Sequence, residues 1–174
     1  MSVVRLKWMA VTALLGLAGC ATLSEDSCRQ GEWSKIGFRD GSNGRSPEFL
    51  AQHAKACSRY GVTVNQSKWE AGRQEGLKTY CTSFNAYREG ERGRRLKSVC
   101  PIEVQSALER SNERGLTWYR IGQDIADAER EIRYINRQLA GLPADDPRRA
   151  SLISERSFLR LEILNLRARR FRYR

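Results

Sequence analysis

Residues 118–142 read Trp118-Tyr-Arg-Ile121-Gly-Gln-Asp-Ile125-Ala-Asp-Ala128-Glu-Arg-Glu-Ile132-Arg-Tyr-Ile135-Asn-Arg-Gln-Leu139-Ala-Gly-Leu142. The apolar positions 118, 121, 125, 128, 132, 135, 139 and 142 are separated by steps of three and four in strict alternation. That spacing keeps one narrow stripe on one side of an α-helix, and such a seam is stable only against a partner helix. The rest of the fold is built outward from this requirement.

The partner follows directly. Gly141-Leu-Pro143-Ala-Asp-Asp146-Pro147 combines a helix stop, a turn and a new start with proline at the first helical position. Leu152, Leu159, Ile163 and Leu166 then continue an apolar stripe, with Arg156 as its one flaw. Arms over 118–142 and 148–172, 25 residues each, would be about 37 Å long and close as a matched antiparallel hairpin. Upstream, Val104, Ala107 and Leu108 suggest more helix, while Asn112-Glu-Arg-Gly115 is expected to kink or interrupt it. Stripes of this kind serve core packing far more often than ligand binding.

Residues 20–100 have a different grammar, rich in glycine and holding Cys28, Cys57, Cys81 and Cys100. Trp33-Ser-Lys-Ile-Gly37-Phe-Arg-Asp40-Gly41 is echoed by Trp69-Glu-Ala-Gly72-Arg-Gln-Glu75-Gly76, and Tyr87-Arg-Glu-Gly90-Glu-Arg-Gly93 is a looser third copy. Glycine within a helix costs about 1 kcal/mol relative to alanine. Four-residue spacing puts both glycines of a pair on one face, where a second backbone can approach closely; the plain alternative is that they mark loops. Ser46-Pro47 reads as a cap and first helical residue, opening a helix through Cys57. Thr63-Val-Asn-Gln66 fits a capping box for a helix carrying Trp69 to Cys81. The fold class expected is all-α: a small disulfide-stapled helical domain, then the hairpin.

The first residues read as an export signal. Arg5 and Lys7 precede a 12-residue apolar stretch, Trp8–Gly19, broken only by Thr12. It is shorter than the roughly 20 residues of a membrane span. It ends in Leu17-Ala18-Gly19-Cys20, which resembles a bacterial lipobox. The resemblance implies removal of residues 1–19, lipidation of Cys20 and acylation of the new amino terminus. Acyl chains in that number exceed what stable anchoring needs. Ala21 stands where an inner-membrane retention signal would have Asp, so the expected location is the periplasmic face of an outer membrane.

Setting Cys20 aside leaves four cysteines, an even number that in an exported chain argues for two disulfides. Four cysteines allow three pairings. Helices near 32–41 and 47–57 in an antiparallel pair would place Cys28 and Cys57 at one end, favouring 28–57 with 81–100. The chain has no CxxC spacing and a single histidine, His53, so no zinc site, other metal or cofactor is expected.

The order Cys28…Trp33…Ile36-Gly37-Phe38-Arg39-Asp40-Gly41…Gly44, His53…Cys57, Gly72-Arg-Gln-Glu-Gly76-Leu77…Tyr80-Cys81 and Gly90…Gly93…Cys100-Pro101 resembles a bacterial lipoprotein family known as domain of unknown function 2799. The likeness covers about residues 20–101. It implies a small exported domain and carries no catalytic residues to transfer. The domains expected are a removed signal over 1–19, a Gly/Cys-rich helical domain over 20–101 and a hairpin over 102–174 with a basic end.

The chain of 174 residues carries +11, of which +9 remains after residue 19, and its mean hydropathy of −0.60 excludes a multi-span membrane protein. Charge is distributed unevenly. Arm 118–142 is neutral, whereas 148–174 has nine arginines against Glu155 and Glu162, a net +7. Arg167, Arg169, Arg170, Arg172 and Arg174 end the chain without an acidic residue among them. Guanidinium groups left facing solvent suit phosphates and carboxylates, so the expected partners are the membrane through the anchor, anionic lipid or an envelope polymer, and a protein met through the hairpin. Export argues against nucleic acid, and a basic host lysozyme would be repelled.

Acid–base chemistry has three candidates, Asp40, Glu75 and His53. His53 lies one helical turn before Cys57, but a Cys–His nucleophile needs a free thiolate. Asp40 and Glu75 hold equivalent places in the two glycine units, which repeated structure explains more simply, through pairing with Arg39 or Arg73. No phosphate loop, nucleophile elbow or zinc motif occurs. The expected role is thus a non-catalytic envelope binding or scaffolding protein. The alternative is an enzyme acting on envelope polymers through Asp40, Glu75 or His53, which must then converge in one cleft.

Overall fold

A computed structural model describes residues 22–174; Cys20 and residues 1–19 lie outside the described residues. These residues form α1 (Glu25–Gln30), α2 (Trp33–Ser42), a 3-10 turn (Pro47–Phe49), α3 (Leu50–Ser58), α4 (Gln66–Tyr80), α5 (Ser83–Glu91), α6 (Ile102–Gly141) and α7 (Arg148–Phe171). No strand occurs among them, and the protein is all-α. Contacts divide the chain into two compact units. Among the described residues, one comprises 22–41 and Arg45–Gly76; the other comprises Ser42–Gly44 and Leu77–Arg174. The compositional boundary at 101/102 is therefore not a packing boundary: the last third of the Gly/Cys-rich stretch packs on α6.

The first unit is organised by the crossing of α2 and α4. A Cβ on Gly37 would collide with the Trp69 carbonyl oxygen and stand 2.9 Å from the Arg73 amide nitrogen. A Cβ on Gly72 would likewise strike the Ser34 carbonyl, 2.8 Å from its carbon. The glycines are the point where two backbones touch, which no other residue permits. Trp33, Ile36 and Trp69 close over this crossing with Leu23, Cys28 and Cys57 to form the core. Cys28 and Cys57 are bonded within it, with Cα atoms 5.5 Å apart. Helix starts differ in detail from expectation. Asn65, rather than Thr63, caps α4 by accepting the Lys68 amide at 3.0 Å. Ser46-Pro47 opens the 3-10 turn ahead of α3, and the Ser46 side chain makes no cap bond.

The second unit repeats the device. Gly90 on α5 and Gly115 on α6 face each other: a Cβ on Gly90 would be 2.6 Å from the Leu116 nitrogen, and one on Gly115 would be 2.8 Å from the Glu91 nitrogen. The Asn112–Gly115 stretch thus does not interrupt the helix. α6 runs unbroken for 40 residues, because Gly115 is needed for close approach and the Asn112 side chain is spent outside its own helix. Asn112 donates to the Ala86 and Arg94 carbonyls at 2.9 Å each and accepts the Leu96 amide at 3.2 Å. Gly93 has φ 75° and is a turn residue, not a third helical copy. Cys81 and Cys100 close the loop around α5.

Beyond residue 115, α6 pairs with α7 as the seam predicts. Ile121, Ile125 and Ala128 meet Ile163 and Leu166, flanked by Ile132, Leu159 and Tyr173. Arg149 secures the far end of the hairpin by donating to the Leu139 and Leu142 carbonyls at 2.8 and 3.1 Å, which suits a cation at a helix C-terminus. Asp146 starts α7 by accepting the Arg148 amide at 2.9 Å. The Arg148 guanidinium holds the Asp146 carboxyl down at about 2. Arg156 is accommodated in the stripe by donating to Asn136 across the pair at 3.0 Å.

The disulfides join residues 29 and 19 positions apart, and each loop closure is worth about 3–4 kcal/mol. Peptide mapping of unreduced protein is expected to return 28–57 and 81–100. Alkylation of two or more of these four thiols in the native protein would overturn the staple.

Candidate functional site

Asp40 on α2, His53 on α3 and Trp69 on α4 meet inside the first unit. His53 Nε2 donates to Asp40 Oδ2 at 2.7 Å, and Trp69 Nε1 donates to the same oxygen at 2.9 Å. On the other side of the ring, Nδ1 lies 2.8 Å from Thr22 Oγ1. When the ring is neutral with its proton on Nε2, Nδ1 is the acceptor and the Thr22 hydroxyl the donor. Phe49 stands edge-on to the imidazole at 5.0 Å and 82°, and Arg45 lies 4.2 Å over the Phe49 ring.

A hydroxyl, an imidazole and a carboxyl in series form the order of groups that hydrolases use. Access decides what this one can do. His53 is 1% exposed and Asp40 5%, so both reactive faces of the ring are occupied and covered. A buried network of this kind aligns the elements that contribute to it. It ties residue 22, two positions after Cys20, to α3 and through Asp40 to α2 and α4.

The three acid–base candidates do not converge. Glu75 is exposed on α4, whereas Asp40 and His53 are buried. Of the two arginines expected to pair with these carboxylates, Arg73 has other partners. Arg73 is buried and grips Glu70 through two bonds of 2.7 Å while donating to the Arg45 carbonyl at 3.1 Å. The Arg73 bond holds the Glu70 carboxyl below its ordinary value. Trp69 and Thr22, which complete the network, carried no acid–base signal in the sequence; a Trp at the head of each glycine unit marked packing only.

The arginines at the end of α7 divide into two groups. Arg170 is not free: its guanidinium stacks 3.5 Å above the Trp118 ring and donates to the Trp118 carbonyl at 3.1 Å. Gly122 makes room for it, since a Cβ there would stand 2.7 Å from Nη2. Arg167 reaches across the hairpin to Glu129 at 2.9 Å. Arg167 is nevertheless exposed, as are Arg169, Arg172 and Arg174. The expectation that the whole cluster faces solvent is corrected at Arg170, whose guanidinium the Trp118 face of α6 takes up, whereas Arg167 stays exposed while it pairs with Glu129. A concavity of about 600 Å³ lies beside this point, lined by Glu91, Trp118, Glu129, Arg167, Arg170 and Arg174 among others.

Among the described residues no group of three His, Cys, Asp or Glu side chains is arranged to hold a metal. No helix there is long and apolar enough to cross a membrane. Residues 32–117 match a family described as protein of unknown function (DUF2799). The match runs past residue 101, where the sequence likeness stopped, and takes in Asn112 and Gly115, the residues on which α5 packs. No curated protein and no solved structure matches the chain.

Proposed function

Because residues 32–117 of this chain belong to the DUF2799 family, which brings no activity with it, we propose a function from the site and the sequence together. The protein is a lipid-anchored envelope lipoprotein of the outer membrane, periplasmic side, acting as a non-catalytic binding or scaffolding protein. The observation that carries the non-catalytic part is the burial of the Asp40–His53 pair, with Asp40 Oδ2 already accepting two bonds. An enzyme would need one of these groups open to a substrate. The network is better suited to holding the chain at residue 22, two positions after Cys20. A hairpin of helices of 40 and 24 residues then offers a long surface to an envelope component.

The alternative reading, an enzyme for envelope polymers, draws on the Thr22–His53–Asp40 order alone. It requires an opening of the first unit that exposes His53 and Asp40, since Thr22 alone is half-buried.

The anchor is tested by Cys20→Ala. In cells, the variant is expected to leave the membrane fraction after a high-salt wash, while the parent stays. Retention of the variant through the wash would show the anchor reading to be wrong.

A further inference from the structure

α7 carries two apolar stripes, and α6 covers only one. Leu159, Ile163 and Leu166 face the seam. Ile153, Phe158, Leu161, Leu164 and Phe171 are instead 41, 67, 62, 61 and 75% exposed. At 3.6 residues per turn, Ile153, Leu161, Leu164 and Phe171 fall within about 80° of one another, on the side of α7 away from α6. Bulky apolar groups gathered on one face are more than the scatter normal for a protein surface.

The same arm holds the charge. Arg160 and Arg172, both exposed, border the stripe on its two sides, with Arg169 beyond Phe158. Over residues 148–174 the net charge is +7, whereas the partner stretch 118–142 is neutral. Apolar surface and cationic surface thus coincide on one side of one helix. That combination defines a helix that lies in the interface of an anionic bilayer, with its apolar groups at the acyl boundary and its cations among the phosphates.

We propose that the outward face of α7, centred on Leu161, Leu164 and Phe171, is a binding surface for an anionic lipid bilayer. A second copy of the chain is a poorer occupant, because closing two such faces together sets arginine columns against each other. A bilayer meets both flanks of the stripe with phosphate at any register and accepts Phe and Leu side chains without a shaped groove. The proposal rests on the envelope reading for the presence of a bilayer near the hairpin, but its test does not use the anchor.

The full chain carrying Cys20→Ala is titrated with vesicles of phosphatidylcholine alone and of phosphatidylcholine with phosphatidylglycerol, at low and high salt. Two further variants are made in this background: Leu161→Gln/Leu164→Gln/Phe171→Gln and Arg160→Gln/Arg169→Gln/Arg172→Gln. All substituted positions are exposed, and helix content is checked by circular dichroism. Any contribution from residues 1–19 is common to every form, so differences report α7. The parent is expected to bind the anionic vesicles more tightly than the neutral ones, by about tenfold at low salt. The apolar variant is expected to lose about tenfold or more in affinity, and the arginine variant to lose the preference for anionic lipid. Equal binding by parent and apolar variant, equal binding of the parent to both lipids, or recognition of an acidic protein in place of vesicles would each overturn the proposal. In cells, the Cys20→Ala wash is repeated with Leu161→Gln/Leu164→Gln/Phe171→Gln also present, so that retention bears on the anchor alone and the two readings fail separately.

Discussion

Gly37→Ala is expected to destabilise the first unit by about 3 kcal/mol or more, the upper end of what overpacking costs. The new methyl would be placed inside the Trp69 carbonyl, 2.8 Å from its carbon and 2.9 Å from the Arg73 nitrogen. All three atoms are backbone of a helix, so no side-chain rotation relieves the clash. The helices must separate, and the covering core of Trp33, Ile36 and Trp69 loosens with them. Alanine is the better helix former by about 1 kcal/mol, which opposes the clash without matching it. Gly72→Ala, against the Ser34 carbonyl, is expected to behave alike. Gly141→Ala is the control: a Cβ there meets nothing within 4 Å, and the change is expected to be neutral or slightly stabilising. Urea unfolding with disulfides intact reads all three, and a Gly37→Ala protein as stable as the parent would disprove the backbone contact.

Asp40→Ala is expected to cost a similar amount, about 2–6 kcal/mol, because it strands two buried donors and each unsatisfied group costs about 1–3 kcal/mol. His53 Nε2 and Trp69 Nε1 both lose their acceptor, and with His53 and Trp69 each 1% exposed, water cannot replace it. Asp40→Asn keeps one oxygen acceptor and is expected to cost less. The effect on the chain at Thr22 separates this account from plain loss of packing. Loss of the acceptor frees the His53 ring and with it the Thr22 bond, so hydrogen exchange at residues 22–24 is expected to speed up in Asp40→Ala by more than the global loss of stability accounts for. Unchanged exchange there would mean that the network does not hold the start of the chain. If Asp40→Asn instead abolished an activity on an envelope polymer while leaving stability intact, the catalytic alternative would take over.

The two results share a cause. Glycines at the crossing bring α2 and α4 to backbone contact, and only at that separation can Asp40 on one helix reach the indole of Trp69 on the other. In the second unit the Gly90–Gly115 contact does the same for Asn112, which then serves three backbone groups. In each unit a glycine crossing is followed by one buried polar side chain that bonds across it. The charge asymmetry of the hairpin is likewise partly consumed by packing, since Arg170 stacks on α6 and Arg167, still exposed, pairs with its Glu129, leaving Arg169, Arg172 and Arg174 at the surface.

What the sequence alone determines is what depends on spacing along one helix. The 3-4 alternation from Trp118 to Leu142 specified a paired helix, because side-chain direction follows the 3.6-residue turn. Gly-x-x-x-Gly put Gly37 and Gly72 on faces that approach a neighbour, and a helical pair near 32–57 put Cys28 beside Cys57. Only the tertiary structure decided which partners meet. Asp40, His53 and Trp69 are 13 and 29 positions apart, and nothing local distinguishes Asp40 from Glu75 until α2 and α4 are packed, one carboxyl inside and the other out. Asn112 and Gly115 look like a break by propensity, which counts only their own helix. They continue a 40-residue helix because packing against α5 satisfies the amide and fills the missing side chain, and tertiary contacts outweigh intrinsic helix preference.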